Sequence, residues 1–176
     1  MMKEATAFTA DALRRAAVIQ LVIFDIDGVL TDGRLYYSDA GEEMKAFQVQ
    51  DGYAIKLLRE HGVEVAIITG RTSTIVARRA AELGIVHLYQ GAEDKTVALN
   101  DLMKATRIQT DEIAHVGDDL PDLTLFDRVG FAISVPNGHP TVIKAANHVT
   151  AVAGGEGVAR EVCQLILTAK DLWPYR

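Results

Sequence analysis

Apolar runs and polar turns alternate along this chain in a regular order. Val22-Ile23-Phe24 is a short continuous apolar run that ends on Asp25, Asp27 and Gly28, as in a strand buried on both faces that delivers acids to a turn. Val63 to Thr69 repeats the arrangement and stops at Thr69-Gly70-Arg71; Ile85 to Tyr89, Ile113 to Val116, Val129 to Val135 and His148 to Thr150 continue it. Between these strands lie helical patterns: one opened by Asp51-Gly52 and ending at Gly62, Ser73 to Leu83 closed by Gly84, Asp94 to Thr106, and Glu156 to Lys170 entered through Gly154-Gly155. Arg34 to Tyr37 and Met44 to Phe47 flank the turn formers Ser38-Asp39-Ala40-Gly41 and predict a projecting β-hairpin. The whole predicts an α/β fold: a Rossmann-like, mainly parallel sheet with helices on both faces, plus the hairpin.

Composition narrows the function classes. A length of 176 residues suits one domain over residues 1–176, and nearly half the residues are apolar. No apolar segment is long enough to span a bilayer, which predicts a soluble protein without a membrane partner. A net charge of -6 and a pI near 5.3 argue against nucleic acid and leave a small phosphorylated ligand open. Arg14-Arg15 before an apolar stretch reads as a surface helix feeding the first strand rather than as an export signal. Cys163 is the single cysteine, so no intrachain disulfide can form; its apolar neighbours place it in a packed helix, and a reducing cytoplasm fits. His61, His87, His115, His139 and His148 show no close ligand spacing, which gives zinc little support and leaves them structural or surface roles. Loop roles fit His139, and Asn137 is open between loop and site.

If the strands are parallel, Asp25, Asp27, Thr69, Lys95, Asp118, Asp119 and Asp122 converge on one edge of the sheet. Asp25 and Asp27 are two residues apart, so on an extended backbone their carboxylates point the same way and call for a cation or a proton. Mg²⁺ suits such a site, because it takes one or two carboxylates and keeps places for water and phosphate oxygens. A phosphate monoester must be brought to a carboxylate nucleophile, and a metal, a lysine and hydrogen-bond donors cancel the repulsion. Asp32 is open between a site acid and the turn that starts the hairpin.

Asp-x-Asp-Gly-Val at 25–29, Thr69 after a hydrophobic strand, Lys95, and Gly117-Asp118-Asp119-x-x-Asp122 resemble the four motifs of the haloacid dehalogenase superfamily. The resemblance implies that Asp25 attacks phosphorus to give an aspartyl-phosphate and that Asp27 serves as general acid and base. It implies further that Asp25, Asp118 and the Asp27 carbonyl hold Mg²⁺, that Thr69 and Lys95 bind the phosphoryl group, and that Asp119 and Asp122 support Lys95 or the metal's waters. No room exists for an inserted cap, either between Asp27 and Thr69 or between Thr69 and Lys95. The site would then be open, with the hairpin side chains Leu35, Tyr36, Tyr37 and Phe47 as a contact surface.

Asp-Ile-Asp-Gly-Val-Leu-Thr-Asp-Gly (25–33), Gly-Glu-Glu-Met-Lys-Ala-Phe (41–47), Asp51-Gly52, Ala-Ile-Ile-Thr-Gly-Arg (66–71), Leu83-Gly84-Ile85, Gly154-Gly155-x-Gly157 and Arg160-Glu161 resemble the capless 3-deoxy-D-manno-octulosonate 8-phosphate phosphatase family. That resemblance implies a phosphorylated keto-deoxy sugar acid as substrate, a role in lipopolysaccharide precursor synthesis, and a homotetramer whose neighbouring subunits complete each site. It also implies substrate contacts at Asp27, Gln48, Val49, Gln50, Asp51, Gly52, Lys56, Arg71, Arg79 and Lys95. Two positions depart from the family: Gln50 and Glu156 stand where many relatives carry a basic residue. They keep open a related nonulosonate 9-phosphate as substrate. Outside this chemistry, a receiver-like module and a catalytically silent oligomerisation module are the alternatives; the acid at Asp27 and the intact motif set argue against both.

Overall fold

The computed structural model describes residues 8–175; Arg176, at the end of the expected tail, lies outside them. Six parallel strands form one sheet: β1 (Leu21–Phe24), β4 (Glu64–Ile68), β5 (His87–Tyr89), β6 (Ile113–Val116), β7 (Phe131–Ser134) and β8 (His148–Val149), in the order β5-β4-β1-β6-β7-β8. Val22 is in register with Val65 on one side and Ala114 on the other.

Strand residues alternate between two cores. Val22, Phe24, Val65 and Ile67 face a layer built from α1 (Ala10–Ala16), α2 (Val49–Glu60), α3 (Thr74–Glu82) and α7 (Val158–Ala169). Leu21, Ile23, Ala66 and Ile68 face α4 (Lys95–Thr106) and α5 (Leu123–Phe126) through Leu99, Leu102 and Leu125. A smaller cluster ties Phe126 and Ala132 to Val142 of α6 (Pro140–Ala145). The expected Rossmann-like sheet with helices on both faces is therefore present.

Several boundaries move for local reasons. Helix α2 starts at Val49, not Asp51: the buried Asp51 carboxylate sits inside its first turn and reaches across to accept from Arg160 N at 2.7 Å, capping α7 instead of its own helix. Helix α7 starts at Val158 rather than Glu156, since Gly157 holds φ at 107°, outside the helical region. Cys163 is fully buried in α7, where burial pushes its thiol well up.

The hairpin pairs β2 (Tyr36–Tyr37) with β3 (Glu43–Met44), antiparallel, with Tyr36 opposite Met44. Leu35, Tyr37 and Met44 are 46%, 56% and 58% exposed, so it projects as expected. Phe47 corrects that reading: it folds back onto the main core, with the Arg79 guanidinium 5.8 Å above its ring. Only the hairpin, α2 and β4 lie between Asp27 and Thr69, and only α3 and β5 between Thr69 and Lys95, which leaves the sheet edge without a cap. No helix among the described residues is long and apolar enough to cross a membrane.

Candidate active site

Strand β1 is flanked by β4 and β6, and the chain leaves it toward opposite halves of the sheet, so a crevice opens at its carboxyl end. Asp25 follows β1, Thr69 follows β4, Asp118 follows β6 after Gly117, and Lys95 opens α4. Beyond Asp25 the backbone makes a wide turn over Ile26–Leu30, closed by Thr31 N–H to Ile26 O at 3.0 Å. Gly28 has φ of 90° within this turn, and a methyl group there would collide with the Asp118 carboxylate; glycine lets the two acid turns touch. The resulting cleft of about 520 Å³ is lined by Asp25, Asp27, Thr69, Arg71, Lys95, Asp118, Asp119 and Asp122. All the residues of the four motifs are thus brought together.

A buried charge network forms the floor. Lys95 Nζ donates to Asp25 Oδ2 and to Asp122 Oδ1, each at 2.6 Å. Asp122 Oδ1 also lies 2.8 Å from His115 Nε2, and Asp122 Oδ2 accepts from the backbone N–H groups of Asp118 and Asp119 at 3.0 and 3.2 Å. Burial alone would raise the Asp122 carboxyl, but the His115 bond and the Lys95 charge outweigh it and hold it well below the ordinary range. Burial works to lower Lys95, and the Asp25 and Asp122 carboxylates reverse this, so its pKa is raised and it stays cationic. Asp119 is exposed and spends its carboxylate on Leu120 N at 2.8 Å. Of the two acids expected to steady Lys95, Asp122 touches it and Asp119 does not.

The Asp118 carboxyl is pushed up to about 7, first by burial and then by the charges of Asp25, Asp122 and Asp119. Its Oδ1 is buried without a hydrogen-bond partner. Oxygens of Asp25, Asp118 and Asp122 lie within 4.8 Å of one another. Asp122 is bonded by Lys95, His115 and the Asp118 and Asp119 amides, whereas Asp25 is bonded only by Lys95 and the Ile26 amide and Asp118 Oδ1 by nothing. Asp25 and Asp118 are therefore the carboxylates with lone pairs to offer a cation, and this all-oxygen set suits Mg²⁺.

Asp27 is held from the hairpin side. Lys45 Nζ forms an ion pair with Asp27 Oδ1 and sits 3.4 Å from Glu43 Oε1, with its side chain only 1% exposed. Arg71 Nε is 3.7 Å from Asp27 Oδ2, and its guanidinium bonds Glu43 and the Tyr37 hydroxyl at 3.1 and 3.0 Å. Lys45, Glu43 and His115 are contributors that the sequence does not announce; Lys45 and Glu43 lie in a polar hairpin, and His115 in a strand where only its burial gives it away.

Other expected residues sit elsewhere in the chain. Gln48, Val49, Gln50, Asp51 and Gly52 lie at the start of α2, exposed Lys56 on its outer face, and Arg79 on α3, none of them lining this cleft. Asp32 accepts from Arg34 N at 3.0 Å and from the Tyr36 hydroxyl at 2.6 Å, so it starts the hairpin. Asn137 reaches Gly28 O at 3.4 Å and accepts from Gly154 N at 2.7 Å, while His139 N donates to Asp118 O at 2.7 Å, two braces behind the acid turns. Gly154 lies so close to the carbonyls of Gly28 and Thr31 that no side chain fits there. Glu156 is exposed.

The chain is similar to known proteins over most of its length. The family model described as haloacid dehalogenase-like hydrolase matches residues 79–162. A 3-deoxy-D-manno-octulosonate 8-phosphate phosphatase from Escherichia coli (strain K12) is 47% identical over 162 residues, covering 92% of this chain and 86% of that protein. The crystal structure of the phosphatase of that name from Yersinia pestis superposes with a TM-score of 0.92 at 46% identity, covering 93% of this chain and 89% of the other. That from Moraxella catarrhalis, determined with a magnesium ion, a phosphate ion and KDO, superposes with a TM-score of 0.91 at 44% identity, covering 94% and 95%.

Proposed function

This chain belongs to the haloacid dehalogenase-like hydrolases and, among them, to the 3-deoxy-D-manno-octulosonate 8-phosphate phosphatases, and from that premise we propose how its own residues carry the reaction. It is a Mg²⁺-dependent phosphomonoesterase that releases the free sugar acid and phosphate from 3-deoxy-D-manno-octulosonate 8-phosphate, a step in lipopolysaccharide precursor synthesis.

One observation carries the assignment of roles: Asp25 lines the cleft, held by Lys95 at 2.6 Å, with Asp27 lining it two residues on. An Asp25 carboxylate oxygen attacks phosphorus, and the ester P–O bond breaks to leave an aspartyl-phosphate. Asp27 gives its proton to the departing sugar alkoxide and then takes one from the water that cleaves the acyl phosphate, which restores Asp25 and frees phosphate. Lys95 and the Thr69 hydroxyl face the phosphoryl oxygens, where fixed donors offset the charge of the dianion. Mg²⁺ held by Asp25, Asp118 and the Asp27 carbonyl supplies the remaining positive charge. Asp122 keeps Lys95 in place.

Arg71, on the rim of the cleft, meets the carboxylate of the sugar acid. Gln48, Val49, Gln50, Lys56 and Arg79 lie outside the cleft of their own chain, which suits a homotetramer whose neighbouring subunits bring them to the substrate, whereas Asp51 and Gly52 are buried against their own α7 and α3. The exposed apolar hairpin is the contact surface for that assembly, and the enzyme works in the cytoplasm.

Phosphate release with Mg²⁺ and with chelator, compared for the eight-carbon substrate, a nine-carbon analogue and hexose phosphates, tests the assignment. The eight-carbon ester is expected to be turned over fastest, and only with Mg²⁺; equal rates across the panel would overturn the substrate. Asp25→Asn is expected to abolish release with fold and assembly intact, and unchanged release would overturn the nucleophile.

A further inference from the structure

Asp27 must move a proton twice, yet its ion-pair contacts are to Lys45 and Arg71 and not to the buried network around Lys95. Its two oxygens have different surroundings. Oδ1 is taken by the Lys45 ammonium, whose side chain is 1% exposed, whereas Oδ2 receives no hydrogen bond among the described residues and has only Arg71 Nε, at 3.7 Å. Lys45 is itself held: Glu43 Oε1 lies 3.4 Å from its ammonium and bonds Arg71 at 3.1 Å, and Arg71 bonds the Tyr37 hydroxyl at 3.0 Å. An unbroken chain of charged contacts therefore runs from the hairpin to the acid.

We propose that Lys45 is a positioning residue for the proton-transferring acid Asp27: by occupying Oδ1 it fixes the carboxylate rotamer and leaves Oδ2 as the oxygen that exchanges protons with the leaving group and with water. A lone carboxylate at the mouth of an open cleft would otherwise rotate among rotamers and solvent contacts, and a displacement of about 1 Å in a reacting group costs roughly 10²-fold in rate. Lys45 has a long flexible stem, which is normally a poor anchor; burial of that stem and the second contact to Glu43 remove its freedom. The neighbouring Arg71 does not take this place: its Nη2 bonds Glu43 and Tyr37, its Nε stays 3.7 Å from Asp27 Oδ2, and its side chain is 43% exposed. Glu43 is the joint between the two cations, and its carboxyl is pulled below the usual range by Ser73, Arg71 and Lys45 against the effect of burial.

The inference rests on the assignment of Asp27 as acid and base, and a double-mutant cycle separates the failure of one from the failure of the other. Lys45→Met is expected to lower kcat about 10- to 100-fold with KM changed less than about 3-fold, and Lys45→Arg to recover part of the loss. In an Asp27→Asn background the same Lys45→Met change is expected to have no further effect, since the group it positions is gone. Lys45→Gln is measured alongside, so that a variant that does not fold is replaced by one that keeps a polar end. A raised KM at unchanged kcat, or a loss that multiplies in the double mutant, would overturn the positioning role; an Asp27→Asn enzyme with wild-type kcat would overturn the acid assignment instead.

Discussion

Lys95 and Asp122 meet at 2.6 Å with both side chains almost wholly out of solvent, 3% and 1% exposed. A buried ion pair of this kind adds little net stability as a pair, but removing one partner strands the other charge, at a cost of about 3–5 kcal/mol. Asp122→Asn is therefore expected to destabilise the protein on that scale in chemical denaturation. It is also expected to lower kcat by roughly 10²-fold, because Lys95 loses the anchor that sets it beside Asp25. Wild-type values of both would remove Asp122 from the catalytic network.

Asp118 makes magnesium binding depend on pH. Its carboxyl sits near 7 because burial and three neighbouring acids disfavour the charge, so below that pH a proton competes for the same oxygen as the metal. Apparent Mg²⁺ affinity is expected to weaken roughly tenfold per pH unit below about 7 and to level off above it. Calorimetric titration at pH 6 and pH 8 checks this, and equal affinities would contradict it.

Asp51 predicts a second pH dependence, in stability rather than in binding. Burial raises its carboxyl to about 6, from 3.8 for a free one, so the folded state binds the proton more tightly than the unfolded state does. The contribution is complete below about 4 and is lost as pH rises through 6, a change of about 3 kcal/mol. Melting of the metal-free protein from pH 4 to 7 should show this fall, and Asp51→Asn should flatten it.

Gly28→Ala tests the contact between the two acid turns. A methyl group at this position meets the Asp118 carboxylate, and φ of 90° is itself unfavourable for alanine by about 1–2 kcal/mol. Weaker Mg²⁺ dependence, a lower melting temperature and activity reduced by at least roughly 10²-fold are expected. An unchanged magnesium titration would show that the turns need not touch.

Assembly is tested at the hairpin. Leu35 and Met44 are large apolar residues about half exposed on a two-strand ribbon, and changing both to Asp is expected to shift the protein to a smaller species in light scattering. A retained assembly would place the contact elsewhere.

Much of this was legible in one dimension because the chemistry follows the strands. An apolar run that stops on Asp25 or Thr69 marks both a buried strand and the place where its carboxyl end opens, and parallel pairing then brings distant turns together. Helix starts were less legible: Asp51 looks like an opening residue of its own helix, and only the packing of α2 on α7 reveals that it caps the other one. Lys45 and Glu43 were hidden for another reason. Charged residues in an exposed hairpin carry no periodicity, and nothing local tells a buried ammonium from a solvated one. Asp119 and Asp122 could not be ranked from spacing, since the difference lies in a 3₁₀ turn that aims one inward and the other at its own backbone.

Gly154 and Gly155 press against the turn that carries Asp27, and that contact orders events during synthesis. The strand bearing the nucleophile leaves the ribosome early, but the segment that supports its turn is made more than a hundred residues later. A nascent chain can pair β1 with β4 and still hold its acids in an unbraced loop. Phosphatase competence therefore arrives only with the last part of the polypeptide, and a chain cut short before Gly154 would carry every motif acid and no finished site.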